Sequence, residues 1–161
     1  HSPEHACLYC PSMNLFISGD QVLPRISSNV SVFPSEPHAD PLSEFLQACS
    51  DIRTRVSDEV LVLPSHNEPF TGLHARLDKL LDGHNEGLAR LHALCTAPRR
   101  VVDAFPALFR REIDASNLML ATGESRAHLN YLHARGALSA SLDSNDVLRF
   151  VQNGEFSDSN S

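Results

Sequence analysis

Three side chains in this sequence have the type and setting to do chemistry: Asp20, His66 and His1. Asp20 follows the apolar run Leu15-Phe16-Ile17, which stops at Gly19. His66 sits in Leu63-Pro64-Ser65-His66, directly after a second apolar run that begins at Val60. Short apolar runs bounded by turn formers predict buried strands. A carboxylate and an imidazole at the ends of neighbouring strands can meet in a cleft. Asp with His is ordinary ligand chemistry for zinc, iron or manganese. Asp20 also has a plainer reading, since an acid after a strand is commonly a turn residue.

The elements that must position these residues follow from the pattern. Ala6 to Tyr9 predicts a strand, Pro11 to Asn14 a turn, and Leu15 to Ile17 a strand pairing back as a hairpin. Gln21 to Ala39 reads as loop, with Pro24, Pro34, Pro37 and scattered serines. Asp40-Pro41 is a helix start, an N-cap acid before a proline at the first helical position. Leu42, Phe45, Leu46, Cys49 and Ile52 then recur at helical spacing. Glu59 to Leu63 is the next strand, so strand, helix and strand form a βαβ-type unit.

Beyond Pro69 the pattern turns helical. Leu73, Leu77, Leu80, Leu81, Leu88, Leu91 and Cys95 mark one face of a long helix from Gly72 to Cys95, with Gly83 and Gly87 weakening its middle. Pro98 opens a second helical unit with Val101, Val102, Phe105 and Leu108 as its apolar face. A third helix runs from Asn117 to Arg135 and ends at Gly136 as the C′ residue. Ala137 to Ala140 and Val147 to Val151 predict a β-hairpin around Asp143-Ser144-Asn145-Asp146. Helices followed by a hairpin match the winged helix-turn-helix outline. The residues from Gly154 to Ser161 are polar and expected to be disordered.

Other residues with ligand chemistry read as structural. His74, His84 and His92 lie on the long helix, ten and eight residues apart. That is not the i, i+4 spacing that puts two imidazoles on one metal. Cys7 and Cys10 form a Cys-x-x-Cys, but no second pair follows, and on a strand the two would face opposite sides. Small buried thiols are the plainer reading.

His1-Ser2-Pro3-Glu4-His5, Ile17-Ser18-Gly19-Asp20 and Leu61-Val62-Leu63-Pro64-Ser65-His66-Asn67-Glu68-Pro69 together resemble the later half of a metallo-β-lactamase-superfamily hydrolase. The resembling branch carries a C-terminal winged-helix extension and includes glyoxalase II-like thioester hydrolases and β-lactamase-like endoribonucleases. The resemblance runs from His1 to about Val151. Ser65 stands where the family usually has Gly, and Asn67 where Gly is common. The resemblance implies an α+β fold: the second half of a metallo-β-lactamase αββα sandwich over residues 1–71, a mostly helical winged-helix domain over 72–153, and a disordered tail over 154–161. It implies two divalent cations, zinc first with iron or manganese as alternatives. His1 would complete the first metal site, Asp20 would bridge both ions as the catalytic carboxylate, and His66 would bind the second. His5 would act from behind the ligands. The family's His-x-His-x-Asp-His motif is absent from this sequence, so the chain is expected to be a portion of a longer protein and inactive alone. The expected substrate is a small molecule, a thioester or related ester. The expected partners are the missing N-terminal half of the same protein or a second copy in a homodimer. Nucleic-acid processing or winged-helix binding is the alternative.

Composition narrows the classes. The 161 residues carry a net charge of -7, with Lys79 the only lysine, so there is no overall basic field to hold nucleic acid. Seven arginines lie between Arg99 and Arg149, yet Asp143 and Asp146 occupy the hairpin turn and Glu124 the candidate recognition helix. A packing role for the winged helix is expected over nucleic-acid contact. No apolar run approaches a bilayer's thickness, no signal pattern opens the chain, and four cysteines do not make a disulfide scaffold. Cytoplasmic residence is expected, and Asn29-Val30-Ser31 is then a chance glycosylation sequon.

Overall fold

Pro11–Met13 forms a tight 3-10 turn that reverses the chain, closed by Asn14, whose N–H donates to the Pro11 carbonyl at 3.2 Å. A computed structural model describes residues 5–154. His1 and residues 155–161, and the expectations placed on them, lie outside the described residues. The turn joins β1 (Leu8–Cys10) to β2 (Leu15–Gly19) in an antiparallel pair. After a long loop, α1 (Pro41–Arg55) leads to β3 (Leu61–Pro64), which pairs parallel to β2. The sheet order is β1-β2-β3.

Side chains alternate across this small sheet, as a pleat requires. Phe16, Ser18 and Val62 point inward and are 2 % exposed or less, among a core that includes Val22, Leu23, Phe45, Cys49, Val60, Leu73 and Leu77. On the other face Leu8 pairs with Ile17, and Leu15 with Leu61. There Leu8, Ile17 and Leu61 are 63 %, 46 % and 40 % exposed, an apolar surface uncovered among the described residues.

The predicted long helix is α2 (Leu73–Leu94), uninterrupted through Gly83 and Gly87. Gly87 has a packing reason: a Cβ there would meet Leu108 Cδ2 at 3.3 Å and His128 Nε2 at 4.0 Å. The helix histidines have structural settings. His74 Nε2 bonds the Val56 carbonyl at 2.8 Å, His84 stacks edge-on against Phe45 at 5.4 Å, and His92 is buried.

The chain divides into two compact units, residues 5–30 with 43–84 and residues 31–42 with 85–154. In the second unit, the helical unit expected from Pro98 consists of two short pieces: a 3-10 turn Val101–Ala104 and α3 (Phe105–Leu108). The first is closed by Asp103, which accepts from the Arg100 N–H at 2.8 Å and from its guanidinium. The second stops because Phe109 takes an extended backbone, φ -114° and ψ 134°. Then comes α4 (Leu118–Ala134), which ends at Gly136 with φ +72°. Ala137 N–H reaches back to the Leu132 carbonyl at 3.0 Å, the closing bond of a Schellman motif. The hairpin β4 (Leu138–Leu142) and β5 (Leu148–Gln152) completes the unit. Asp143 shapes its turn by accepting from the Asn145 and Val147 N–H groups at 2.9 and 3.1 Å.

Residues 31–42 strap onto α4. Val32 N–H donates to the Gly123 carbonyl at 3.1 Å, Asn130 Nδ2 to the Pro37 and Ala39 carbonyls at 3.1 and 2.8 Å, and Arg135 pairs with Asp40 at 3.0 Å. The loop expected from Gln21 to Ala39 is thus shared, with residues 31–42 grouped with the second unit.

Candidate metal centre

The centre is built at the ends of β2 and β3. These strands run in simple register from Leu15↔Leu61 to Ile17↔Leu63, then slip, so that Gly19 rather than Ser18 faces Pro64. The extra residue is a bulge, which re-aims the side chains beyond it. Gly19 permits it with φ +52°, a left-handed conformation costly to residues with a Cβ. It also leaves room for a neighbour: a Cβ at Gly19 would fall 2.4 Å from His5 Nε2. That imidazole nitrogen instead lies 3.1 Å from the Ser18 carbonyl, so His5 braces the backbone just before Asp20.

Of the three sequence-predicted ligands, Asp20 and His66 are brought together: Asp20 Oδ1 lies 3.4 Å from His66 Nε2. His1 is outside the described residues. The hydroxyl of Ser65 donates to the same Oδ1. Main-chain contacts hold both loops: the Ser65 N–H donates to the Gly19 carbonyl at 3.1 Å, and the Ser28 hydroxyl donates to the Asp20 carbonyl. The loop after Asp20 is tied down by Arg76 of α2, whose guanidinium donates to the Leu23 and Ile26 carbonyls at 2.6 and 2.8 Å. At the rim, Arg25 pairs with Glu68 across the two loops.

Electrostatics favour an ionised Asp20. The Ser65 hydroxyl is the main cause holding its carboxyl below the usual range, with the His66 and His5 rings adding to it against partial desolvation. The Asp20 side chain is 20 % exposed and His66 61 %, so the pair opens to solvent.

The donor set fits a divalent cation in type and spacing. Two ligands on one tetrahedral zinc, each about 2.0–2.2 Å from the ion, lie about 3.4 Å apart. In number it is incomplete: the described residues hold no cluster of three or more His, Cys, Asp or Glu suited to a metal. Sequence reasoning does not reach the bond from Ser65 to Asp20. The available signal was a hydroxyl directly before an expected ligand.

Residues 88–153 match the family model of the metallo-β-lactamase-like C-terminal domain. The chain is 27 % identical over 154 residues to a probable metallo-hydrolase of Bacillus subtilis, YqjP, covering 91 % of this chain and 46 % of that protein. A β-lactamase-domain protein from Burkholderia ambifaria is 38 % identical with a TM-score of 0.90, over 94 % of this chain and 45 % of its own. A metallo-β-lactamase family protein of Thermus thermophilus shares the fold, at 24 % identity and a TM-score of 0.78, over 92 % of this chain and 45 % of its own. The chain thus spans under half the length of these relatives. With the strand-end Asp and His on an α+β framework, these matches show that the chain belongs to the metallo-β-lactamase superfamily and corresponds to the C-terminal part of its members.

Proposed function

We propose that this chain supplies Asp20 and His66 to the divalent-metal site of a hydrolase. The observation that carries this reading is the 3.4 Å approach of Asp20 Oδ1 to His66 Nε2 at the ends of two parallel strands. It agrees with relatives named as metallo-hydrolase and β-lactamase-domain proteins. The full site would be dinuclear in this proposal: His1 would help hold the first ion, Asp20 would serve both, and His66 the second. Zinc is the first choice, iron or manganese the others. When bound, such cations bring the pKa of water toward neutrality and polarise a scissile carbonyl or phosphoryl oxygen. The chain's own residues do the rest. Ser65 helps keep Asp20 ionised, so that the negative carboxylate would offset repulsion between neighbouring cations, and Gly19 with His5 fixes the loop that presents it.

The substrate class in this reading is a small ester, with thioesters first because the resembling glyoxalase-like branch hydrolyses them. The second unit takes a winged-helix-like role of packing rather than nucleic-acid reading. Basic side chains at its hairpin and first turn are already paired: Arg149 with Asp143 at 2.7 Å, and Arg100 with Asp103 at 2.8 Å. The remaining ligands come from the N-terminal half of the same protein, so the 161-residue chain alone does not turn over substrate.

The test is calorimetric titration of the chain with zinc and manganese, alongside Asp20→Asn and His66→Gln. Each substitution is expected to weaken binding about tenfold or more, as loss of one of few ligands should. Unchanged affinity in both variants removes the reading. Turnover of thioester, lactone or RNA by the unextended chain removes the claim of inactivity.

A further inference from the structure

We propose that Ser65 is a positioning residue for Asp20, its hydroxyl fixing which carboxylate oxygen faces His66. This rests on the reading of Asp20 and His66 as metal ligands. Ser65 grips the Asp20 loop twice. Its N–H donates to the Gly19 carbonyl at 3.1 Å, and its hydroxyl donates to Asp20 Oδ1. The same Oδ1 is the oxygen 3.4 Å from His66 Nε2. The bulge between Ile17 and Gly19 makes this geometry available: with Gly19 opposite Pro64, Asp20 comes level with Ser65, one step before His66.

The main chain of Asp20 is already held by the Ser28 hydroxyl on its carbonyl, which leaves the carboxylate's two torsions to settle. The Ser65 hydroxyl bears on them directly, through its bond to Oδ1. Glycine at this position keeps the backbone bond and loses the side-chain one, so the serine is not a silent change. A group that orients a ligating carboxylate from behind is typically worth about 10–100-fold in metal affinity.

Ser65 is exposed, so truncating it does not threaten the core. The test uses Ser65→Ala, Ser65→Gly and Ser65→Thr in the full 161-residue chain, with two readouts. The first needs no metal: NMR three-bond couplings across the Asp20 χ1 torsion. A single rotamer is expected for the wild type and Ser65→Thr, and averaged couplings for Ser65→Ala and Ser65→Gly. The second is Co2+ affinity, read from its ligand-field absorption. It is expected to fall about tenfold or more in Ser65→Ala and to recover in Ser65→Thr. Wild-type couplings in Ser65→Ala, or no recovery in Ser65→Thr by either readout, overturn the proposal. If the couplings respond as expected while the wild type binds no Co2+, the positioning role stands and the metal reading falls.

Discussion

Replacing Glu124 by Gln should uncover a pH dependence that the wild-type protein conceals. Glu124 and His128 lie one turn apart on α4, and His128 Nδ1 is 2.9 Å from the Glu124 carbonyl. Burial pushes the Glu124 carboxyl up to about 7, against a smaller opposing pull from Arg111. Burial also pushes the His128 ring down to about 4. Glu124 has a raised folded-state pKa, so its contribution is present below about 4.5 and lost as pH rises through about 7. His128 has a depressed one, so its contribution is present above about 6.5 and lost as pH falls through about 4. Each shift has a ceiling of about 3 kcal/mol. Glu124 keeps some contact with water, so its realised share is on the order of 1–3 kcal/mol. Between about pH 4.5 and 6.5 the two slopes cancel, because the folded state holds its proton on Glu124 and the unfolded state holds one on His128. Urea unfolding from pH 4 to 8 should therefore be nearly flat across that window for this pair. Glu124→Gln should match the wild type near pH 4.5 and exceed it by about 1–3 kcal/mol at pH 8. Its own stability should drop as pH falls from 6.5 toward 4. A difference between variant and wild type that is the same at pH 4.5 and pH 8 would falsify the assignment of burial as the cause.

Two glycines on helices should respond to alanine in opposite directions. At Gly83, where a Cβ meets nothing within 4 Å, alanine should raise stability by about 1 kcal/mol through helix propensity. At Gly123, a Cβ would lie 2.8 Å from Ser31 Cβ and Oγ and 3.2 Å from the Val32 carbonyl. Alanine there should cost about 1–3 kcal/mol, as overpacking does, and release amide-exchange protection at Val32. Thermal melts of both variants check the signs. The exposed apolar face around Leu8, Ile17 and Leu61 should make the isolated chain self-associate, and Ile17→Lys should shift it toward monomer. Light scattering after size exclusion reads this directly, and a clean wild-type monomer at high concentration would remove the expectation.

The elements that carry Asp20 and His66 were readable because each is set by local chemistry. Proline after Asp40 starts α1, and Pro11 with Asn14 turns the hairpin. The apolar runs at Leu15 and Leu61 are too short for helices. The β2-α1-β3 connection then follows, and with it the proximity of two strand ends. The strap was not readable. Val32 bonds Gly123 and Asn130 bonds Pro37, contacts between distant parts of the chain that no periodicity signals. Nor were the two short turns after Arg100, where apolar spacing fits a helix but Asp103 caps one turn and Phe109 leaves the next. The run Leu15-Phe16-Ile17 is apolar on both faces of β2, and only the face of Phe16 is covered among the described residues.

The finest feature of the centre, which carboxylate oxygen meets which partner, depends on a single inserted residue. In unbroken parallel register Ser18 would face Pro64, and Asp20 would stand opposite His66. The slip places Asp20 beside Ser65 instead, so that hydroxyl and imidazole reach one oxygen from adjacent positions. A bulge at this point requires a residue at ease with φ +52° and small enough to admit the His5 ring, and glycine meets both demands. The loop on the other strand has its own left-handed residue, Asn67 at φ +66°, directly after His66. Asparagine tolerates that conformation better than most residues with a side chain. Departures from regular strand geometry thus flank the acid and the imidazole at both strand ends, and such departures re-aim the side chains beside them.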